Sequence, residues 1–446
     1  MKRLLDWHLA QWKQAGHRKP LLVRGARQVG KTYGVRRLGE SFPHMVEVNF
    51  ERKKEACRVF EKDLVPARIV EELSVLHGQQ IVPGKTLLFL DEIQECPSAI
   101  QALRYFYEEM PGLHVAAAGS LLDFALEKTG LPVGRVESLY VYPLSFAEFL
   151  IAIGERPLVR AILEQTPGAA MAPAIHSKAL DLVGQYLAIG GMPEAVSRWQ
   201  ESQSALDAFS VHLQLAETYQ QDFQKYAKRH QMKYLDLLLS EIPRHVGQQF
   251  KYRGIHGEYK KRELAPCLDL LCLANVVHKV QHSAGNGLPL GAETNADWFK
   301  LIFLDTALCQ AILGLDLGAW FLDPNKAFAN QGVIVEAFVG QEILCYSAPN
   351  RRANLYFWKA DAGGQAEVDY LIDHANRVIP IEAKSRDGRT LKSVHRFLEK
   401  HPDAPYGIRF STLDYSIYGK IDSRPLYSVM SLAHPEQLAS LQALLG

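Results

Sequence analysis

The spacing of apolar residues changes character several times along the chain, and each change predicts a different kind of element. Short continuous runs come first: Leu21–Val23, Leu87–Leu90 in KTLLFLDEIQ, and the run in LHVAAAGSLLDF. Continuous apolar runs of this length, set between helical stretches, predict strands buried on both faces of a parallel sheet. From about 155 to 225 the apolar positions recur every three or four residues, as in YLAIGGMPEAVSRWQ and SALDAFSVHLQLAETYQQDFQKY, which predicts a helical layer. Next come a helix at YLDLLLSEI, a turn-rich HVGQQFKYRGIHGEY, a helix at ELAPCLDLLCLANVV, and strands at VVHKVQ and WFKLIFLD around a Gly/Pro/Asn loop. That order reads as winged-helix-like. Beyond DPNKAFANQG, a helix at GVIVEAFVGQEILCYSA precedes strand-like runs NLYFWKA, AEVDYLID and RVIPIEAK, with DAGGQ and HANR as the turns. The expected division is 1–152, 153–225, 226–318 and 319–446.

The first run leads into Gly25, Ala26, Arg27, Gln28, Val29, Gly30, Lys31 and Thr32, which fit GxxxxGK[ST], with Tyr33 following. The glycines let backbone N–H groups curl around phosphate oxygens, Lys31 reaches the outer phosphates, and Thr32 ligates Mg²⁺ at a helix N-terminus. About 60 residues on, Asp91 and Glu92 end the second apolar run. Asp91 is placed to hold the metal and Glu92 to polarise the attacking water. Ser120, at the end of the third run, is either a polar sensor beside the γ-phosphate or a helix N-cap with Asp123 in the first turn. Arg135 is a basic group able to reach a phosphate in the same or a neighbouring subunit.

In order along the chain, GARQVGKT, FLDEIQECP, AAGSLL, GRVESLYVYPLSFAEFL and YLAIGGMPEAV resemble the AAA+ superfamily. The likeness is to prokaryotic ATPases near the STAND and archaeal-type groups that carry a C-terminal domain of uncharacterised function. It implies a P-loop α/β core with a helical lid, binding of ATP with Mg²⁺, a homo-oligomer, and Pro193 of Gly191-Met192-Pro193 packed near the nucleotide base. It also implies a winged-helix-like element in the middle. One departure is Ala307 in Asp305-Thr306-Ala307-Leu308, where relatives carry Gly; it bears on a turn.

The formal net charge is +1, so attraction to nucleic acid has to be local. It is local: between Phe223 and Arg262, Lys225, Lys228, Arg229, Lys233, Arg244, Lys251, Arg253, Lys260, Lys261 and Arg262 face only Asp236, Glu241 and Glu258, so this segment carries +7 and the rest −6. With Phe223, Tyr226, Tyr234, Phe250, Tyr252 and Tyr259 interleaved, the segment could track a phosphate backbone with aromatic support, which makes DNA the expected partner. A solvated basic face on a connector is the alternative.

Helix–strand–strand–strand at the C-terminal end is the opening of the PD-(D/E)xK, restriction-endonuclease-like fold. Its metal-ligand positions are filled by Glu336 on the helix, Asp369 on the second strand and Glu382 on the third, with Lys384 on the same face as Glu382. Three carboxylates can hold Mg²⁺, whose water attacks a phosphodiester while Lys384 orients it. Lys392 and Arg396 follow as possible backbone contacts. The alternative is a nuclease-like body that only binds DNA or a protein. No apolar run approaches the ~18 residues of a membrane span, and the N-terminus has no signal-peptide core. The six cysteines, Cys57, Cys96, Cys267, Cys272, Cys309 and Cys345, show no ligand spacing and read as reduced thiols of a cytoplasmic protein.

Overall fold

Strands β1 (Leu21–Arg24), β2 (His44–Asn49), β3 (Thr86–Asp91), β4 (His114–Ala118) and β5 (Glu137–Tyr140) form a five-stranded parallel sheet in the order β2-β3-β4-β1-β5. The computed structural model describes residues 1–130, 132–315, 318–360, 366–385 and 391–446, apart from the side chains of residues 128, 129, 224–226, 322, 325, 329 and 330. The DAGGQ stretch and the side chains of Lys225 and Tyr226 therefore lie outside the described residues.

Period-two alternation explains why the strand runs are apolar throughout. Leu21, Val23, Phe89 and Ala116 enter a core on one face, while Leu22, Leu88, Leu90 and Val115 enter a second core on the other. Strand β1 lies between β4 and β5, where the strand order reverses; the crevice beyond the carboxyl ends of such strands is the usual ligand position in an open α/β sheet.

The helical layer comprises Pro173–Ile189, Pro193–Ser202 and Ala205–Tyr226. It is stitched to the core at Gly191, whose carbonyl accepts from Leu144 N at 2.7 Å. A Cβ at Gly191 would run into the Leu144 carbonyl, so only glycine allows this approach.

Helices Met232–Glu241 and Lys261–Leu273 lead to the antiparallel hairpin β6 (Val277–Ser283) and β7 (Thr294–Phe303). This hairpin does not stand alone. β6 pairs in parallel with β8 (Leu355–Lys359), so it continues a mixed sheet whose other strands are β9 (Glu367–His374), β10 (Arg377–Ala383), β11 (Gly407–Ser411), β12 (Ser416–Tyr418) and β13 (Ile421–Pro425). The order is β12-β13-β11-β10-β9-β8-β6-β7. Helix Gly332–Cys345 packs against this sheet and reaches the first sheet's domain as well. Its Glu342 accepts the Phe146 N–H through both carboxylate oxygens, at 3.0 and 3.1 Å. Gln341 donates to Tyr186 Oη at 2.7 Å, and Phe338 sits 6.4 Å from the Phe146 ring and 5.9 Å from the Tyr186 ring.

Three expectations are corrected. Cys57 and Cys96 form a disulfide, so only Cys267, Cys272, Cys309 and Cys345 are free among the described residues, and the cysteine argument for a reducing compartment falls. The fold brings the segments flanking β3 together, which a separation of 39 residues does not reveal. Phe223, Tyr234 and Phe250 are buried core residues and offer no stacking surface: Phe223 and Tyr234 fall on the apolar faces of their helices, and Phe250 packs on Phe299 at 5.7 Å. Ala307 is not in a turn but inside helix Thr306–Ile312, where alanine is at ease.

Candidate functional site

Beyond the end of β1 the chain turns through Gly25 at φ +142°, Gln28 at +63° and Gly30 at +95°. A Cβ on Gly25 would collide with the Val141 carbonyl, which fixes glycine there. Ala26 and Val29 are buried, and helix Lys31–Gly39 starts from the loop. Thr32 Oγ1 donates to Asp91 Oδ1 at 3.0 Å, and Asn49 Nδ2, on β2, donates to Asp91 Oδ2 at 2.9 Å. The hydroxyl and carboxylate expected to share a metal ion are thus in contact, and they suit the oxygen-only ligand set of Mg²⁺.

Lys31 donates to the carbonyls of Gly25 at 3.0 Å and Ala26 at 2.6 Å. Only 6% of it is exposed, and burial pulls its pKa down to about 8 against the pull of Glu92 and Asp91. Burial, then Glu92, raises the Asp91 carboxyl. Glu92 adopts left-handed backbone at φ +51°, a conformation that costs a side-chain-bearing residue about 1–3 kcal/mol and is concentrated at functional sites. Gln94 Nε2 donates to Glu92 Oε2 at 2.7 Å and holds the carboxylate.

Elements outside the sheet grip the loop. Arg3 donates to Val29 O at 3.0 Å while its Nε meets Glu148 at 2.7 Å. Arg27 pairs with Asp222 on the long lid helix at 2.8 Å, and Tyr219 donates to Arg27 O at 2.9 Å. Pro193 Cγ lies 3.7 Å from where a Cβ on Gly30 would stand, so the lid element does sit over the loop. Tyr33 is exposed. Arg3, Glu148 and Asp222 carry no motif, and sequence reasoning missed them.

Ser120 is buried, but the helix after it is capped by Leu121, and Asp123 turns to Arg24 Nε at 3.0 Å; the N-cap alternative for Ser120 is therefore withdrawn. Arg135 precedes β5 and pairs with Glu108 at 3.1 Å, near the end of helix Pro97–Glu109. In a parallel sheet that edge holds the strand starts, opposite the P-loop, so the structure does not bring Arg135 to the loop of its own chain.

In the second sheet, Glu336 lies on helix Gly332–Cys345, Asp369 on β9 and Glu382 on β10, with Lys384 just beyond. A residue that the sequence did not single out lies among them. Lys300, on β7 and 1% exposed, places its ammonium 2.9 Å from Glu336 Oε1, 2.7 Å from Glu367 Oε1 and 3.8 Å from Asp369 Oδ1. Burial works against its charge, but Glu336, Asp369 and Glu367 outweigh it and hold the ammonium above the ordinary lysine range. Asp369 Oδ2 accepts from Ala383 N at 2.9 Å, and Lys384 is ion-paired with Glu382. Burial raises the carboxyls of Glu336, Asp369 and Glu382. Among the described residues, no group of three or more His, Cys, Asp or Glu side chains is arranged to hold a metal ion. Mg²⁺ does not fit between these acids while the ammonium stands there.

The basic segment is solvent-facing: Lys228, Arg229, Lys233, Arg244, Lys251, Arg253, Lys260, Lys261 and Arg262 are exposed. Arg244 pairs with Glu241 at 2.9 Å and Lys261 with Asp297 at 2.7 Å. Lys392 and Arg396 are exposed too. No described helix is long and apolar enough to cross a membrane.

A P-loop meeting an acidic strand across a parallel sheet defines a nucleotide-hydrolysing class. Residues 17–150 match the family model AAA_14, described as an AAA domain, and this region is an AAA-type P-loop ATPase domain. Residues 180–318 and 331–429 match two families described only as domains of unknown function, DUF8612 and DUF4143. No curated protein sequence matches the chain. Among solved structures, the chain is similar to the Walker-type ATPase PABY2304 of Pyrococcus abyssi, with 14% identity over 69% of this chain and 94% of that one, at a TM-score of 0.44. It is also similar to the Aeropyrum pernix ORC1 protein in complex with DNA, with 14% identity over 71% and 92% of the two chains, at a TM-score of 0.27. At TM-scores below 0.5, the AAA assignment rests on the matched segment and on the P-loop geometry.

Proposed function

We propose that the protein is an ATP-hydrolysing AAA+ machine that acts on DNA as a homo-oligomer, with its nucleotide state read by the lid and the C-terminal body. The contact of Thr32 with Asp91 at 3.0 Å, beside Lys31 and Glu92, carries this reading. Lys31 neutralises phosphate charge and Glu92 orients and deprotonates the attacking water, with Gln94 holding its carboxylate. Thr32 and Asp91 would hold Mg²⁺, which would supply neutralisation of phosphate charge. Lid contacts through Arg27 and Pro193 make the lid sensitive to what the loop holds. Arg135, away from its own P-loop, is assigned to the neighbouring subunit's nucleotide. The exposed lysines and arginines of 228–262 are assigned to the DNA backbone.

The C-terminal body has the element order of a nuclease, but the buried Lys300 ammonium favours a second role for it: binding DNA or a protein partner without cutting. The test is paired. Glu92→Gln should keep ATP binding and lose turnover, and unchanged turnover would remove Glu92 from the mechanism. Wild type with Mg²⁺ should leave single-stranded, duplex and branched DNA intact; cleavage abolished by Asp369→Ala would restore the nuclease reading.

A further inference from the structure

The acids of the second sheet belong to one matched segment, 331–429, while the cation among them comes from another, 180–318. Lys300 extends from the middle of β7, in register with Val280 of β6 and bridged on its other side by Gln249. An ammonium has three N–H donors, and Glu336, Glu367 and Asp369 lie at 2.9, 2.7 and 3.8 Å from Nζ. The Phe357 ring, 5.4 Å away, closes a further side. Glu367 and Asp369 are two residues apart on β9, so their side chains share a face. Four carboxylates (Glu336, Glu367, Asp369, Glu382) stand against three ammoniums (Lys300, Lys359, Lys384), since Lys359 pairs with Glu367 at 3.1 Å. Glu382 is 5% exposed and its Oε2 has no hydrogen-bond partner among the described residues. Without Lys300 the set would be four acids against two bases, facing one another across a helix and two strands.

We propose that Lys300 is a built-in cation standing where a divalent metal would stand: Glu336, Glu367 and Asp369 form a latent Mg²⁺/Mn²⁺ site, closed by the ammonium that β7 delivers and opened when that ammonium is removed. The ammonium is held in place by its ion pairs and by enclosure, since Lys300 is 1% exposed and its strand residue is paired with Val280 and bridged to Gln249. An arriving ion would meet both the occupied volume and a like charge within about 4 Å in a buried, weakly screened setting. The inference shares its acids with the nuclease-like reading of the C-terminal body, but its test uses neither DNA nor ATP.

The test is Mn²⁺ titration of the nucleotide-free full chain, followed by electron paramagnetic resonance. Wild type should show no Mn²⁺ site that Asp369→Asn removes; this arm needs no change at Lys300. Lys300→Met, and Lys300→Gln as a polar variant that keeps a donor to the acids, should each gain one Mn²⁺ site per chain. That site should be at least ~100-fold tighter than any wild-type binding and should be lost when Asp369→Asn is added. A wild-type site sensitive to Asp369→Asn would overturn the proposal, as would folded Lys300 variants that bind no Mn²⁺.

Discussion

Lys31 gives the ATP site a proton linkage whose sign and size follow from its burial. In the nucleotide-free chain its pKa is held down to about 8, whereas the same lysine in an unfolded chain would titrate near 10.4. Phosphate oxygens beside the ammonium favour the charged form, so ATP binding has to be accompanied by proton uptake whenever Lys31 starts neutral. Below about pH 7 the group is already charged and affinity is flat. Between about pH 7.5 and 9 the charged fraction falls from about three-quarters to about one-tenth, so affinity should fall about eightfold, or about 1.2 kcal/mol. The nucleotide-free fold should move the opposite way. A lysine with a depressed folded pKa destabilises the fold at pH values below that pKa, here by up to about 3 kcal/mol, and the penalty is relieved as pH rises from about 8 toward 10.4. Calorimetric titration of MgATP in two buffers of different ionisation enthalpy reads the proton directly: close to none below pH 7 and about 0.9 per site at pH 9. Lys31→Arg, whose guanidinium stays charged, should abolish the buffer dependence. Buffer-independent heats and a flat affinity up to pH 9 in the wild type would refute the assignment.

Other outcomes are equally specific. Glu92→Gln should lower ATP turnover by about 10²–10⁴ with ATP affinity retained, measured by phosphate release and by nucleotide binding. Replacing Lys260, Lys261 and Arg262 together with alanine should weaken DNA binding and flatten the log–log salt slope by up to ~2.7, as expected for three lost phosphate contacts; an unchanged slope returns this face to plain solvation. Asp305→Ala should cost about 2–4 kcal/mol in denaturant unfolding. The buried carboxylate caps helix Thr306–Ile312 through Ala307 N and Leu308 N and also accepts the Gly191 N–H at 2.6 Å. Asp222→Asn should weaken the grip on Arg27, seen as faster amide exchange along helix Ala205–Tyr226 in the nucleotide-free chain.

Much of this was legible in the sequence because its signals are local. The P-loop is a contiguous spacing, and Asp91-Glu92 ends a run too apolar to be anything but buried. The order of acids in the C-terminal third was equally local, element by element. What fills the space between those acids depends on the pairing of β6 with β8, a register between segments far apart in the chain. One trace of it was present: Lys300 interrupts WFKLIF, and a charge inside an apolar strand needs a buried partner. Glu367, two residues before Asp369, was the matching trace. The aromatics of the basic segment misled because helical periodicity assigns Phe223 and Tyr234 to the interior regardless of the lysines beside them. The choice between the same and a neighbouring subunit for Arg135 was not legible, because an isolated arginine carries no register and the end of the sheet at which it emerges is a property of topology.

The two hydrogen bonds from Phe146 N to Glu342 have a consequence for how such a chain can be inherited. Helix Phe146–Ala152, next to the nucleotide site, depends on a carboxylate from the far end of the sequence for its first turn. Exchanging the C-terminal body for an unrelated one would leave that turn with a buried donor unmet and a ring cluster without Phe338. The ATPase segment is therefore not a cassette that recombination could pair freely with new effectors. The segment matched at 17–150 has to be inherited with the helix that opens the segment matched at 331–429, and a fusion that separates them should lose stability at this turn.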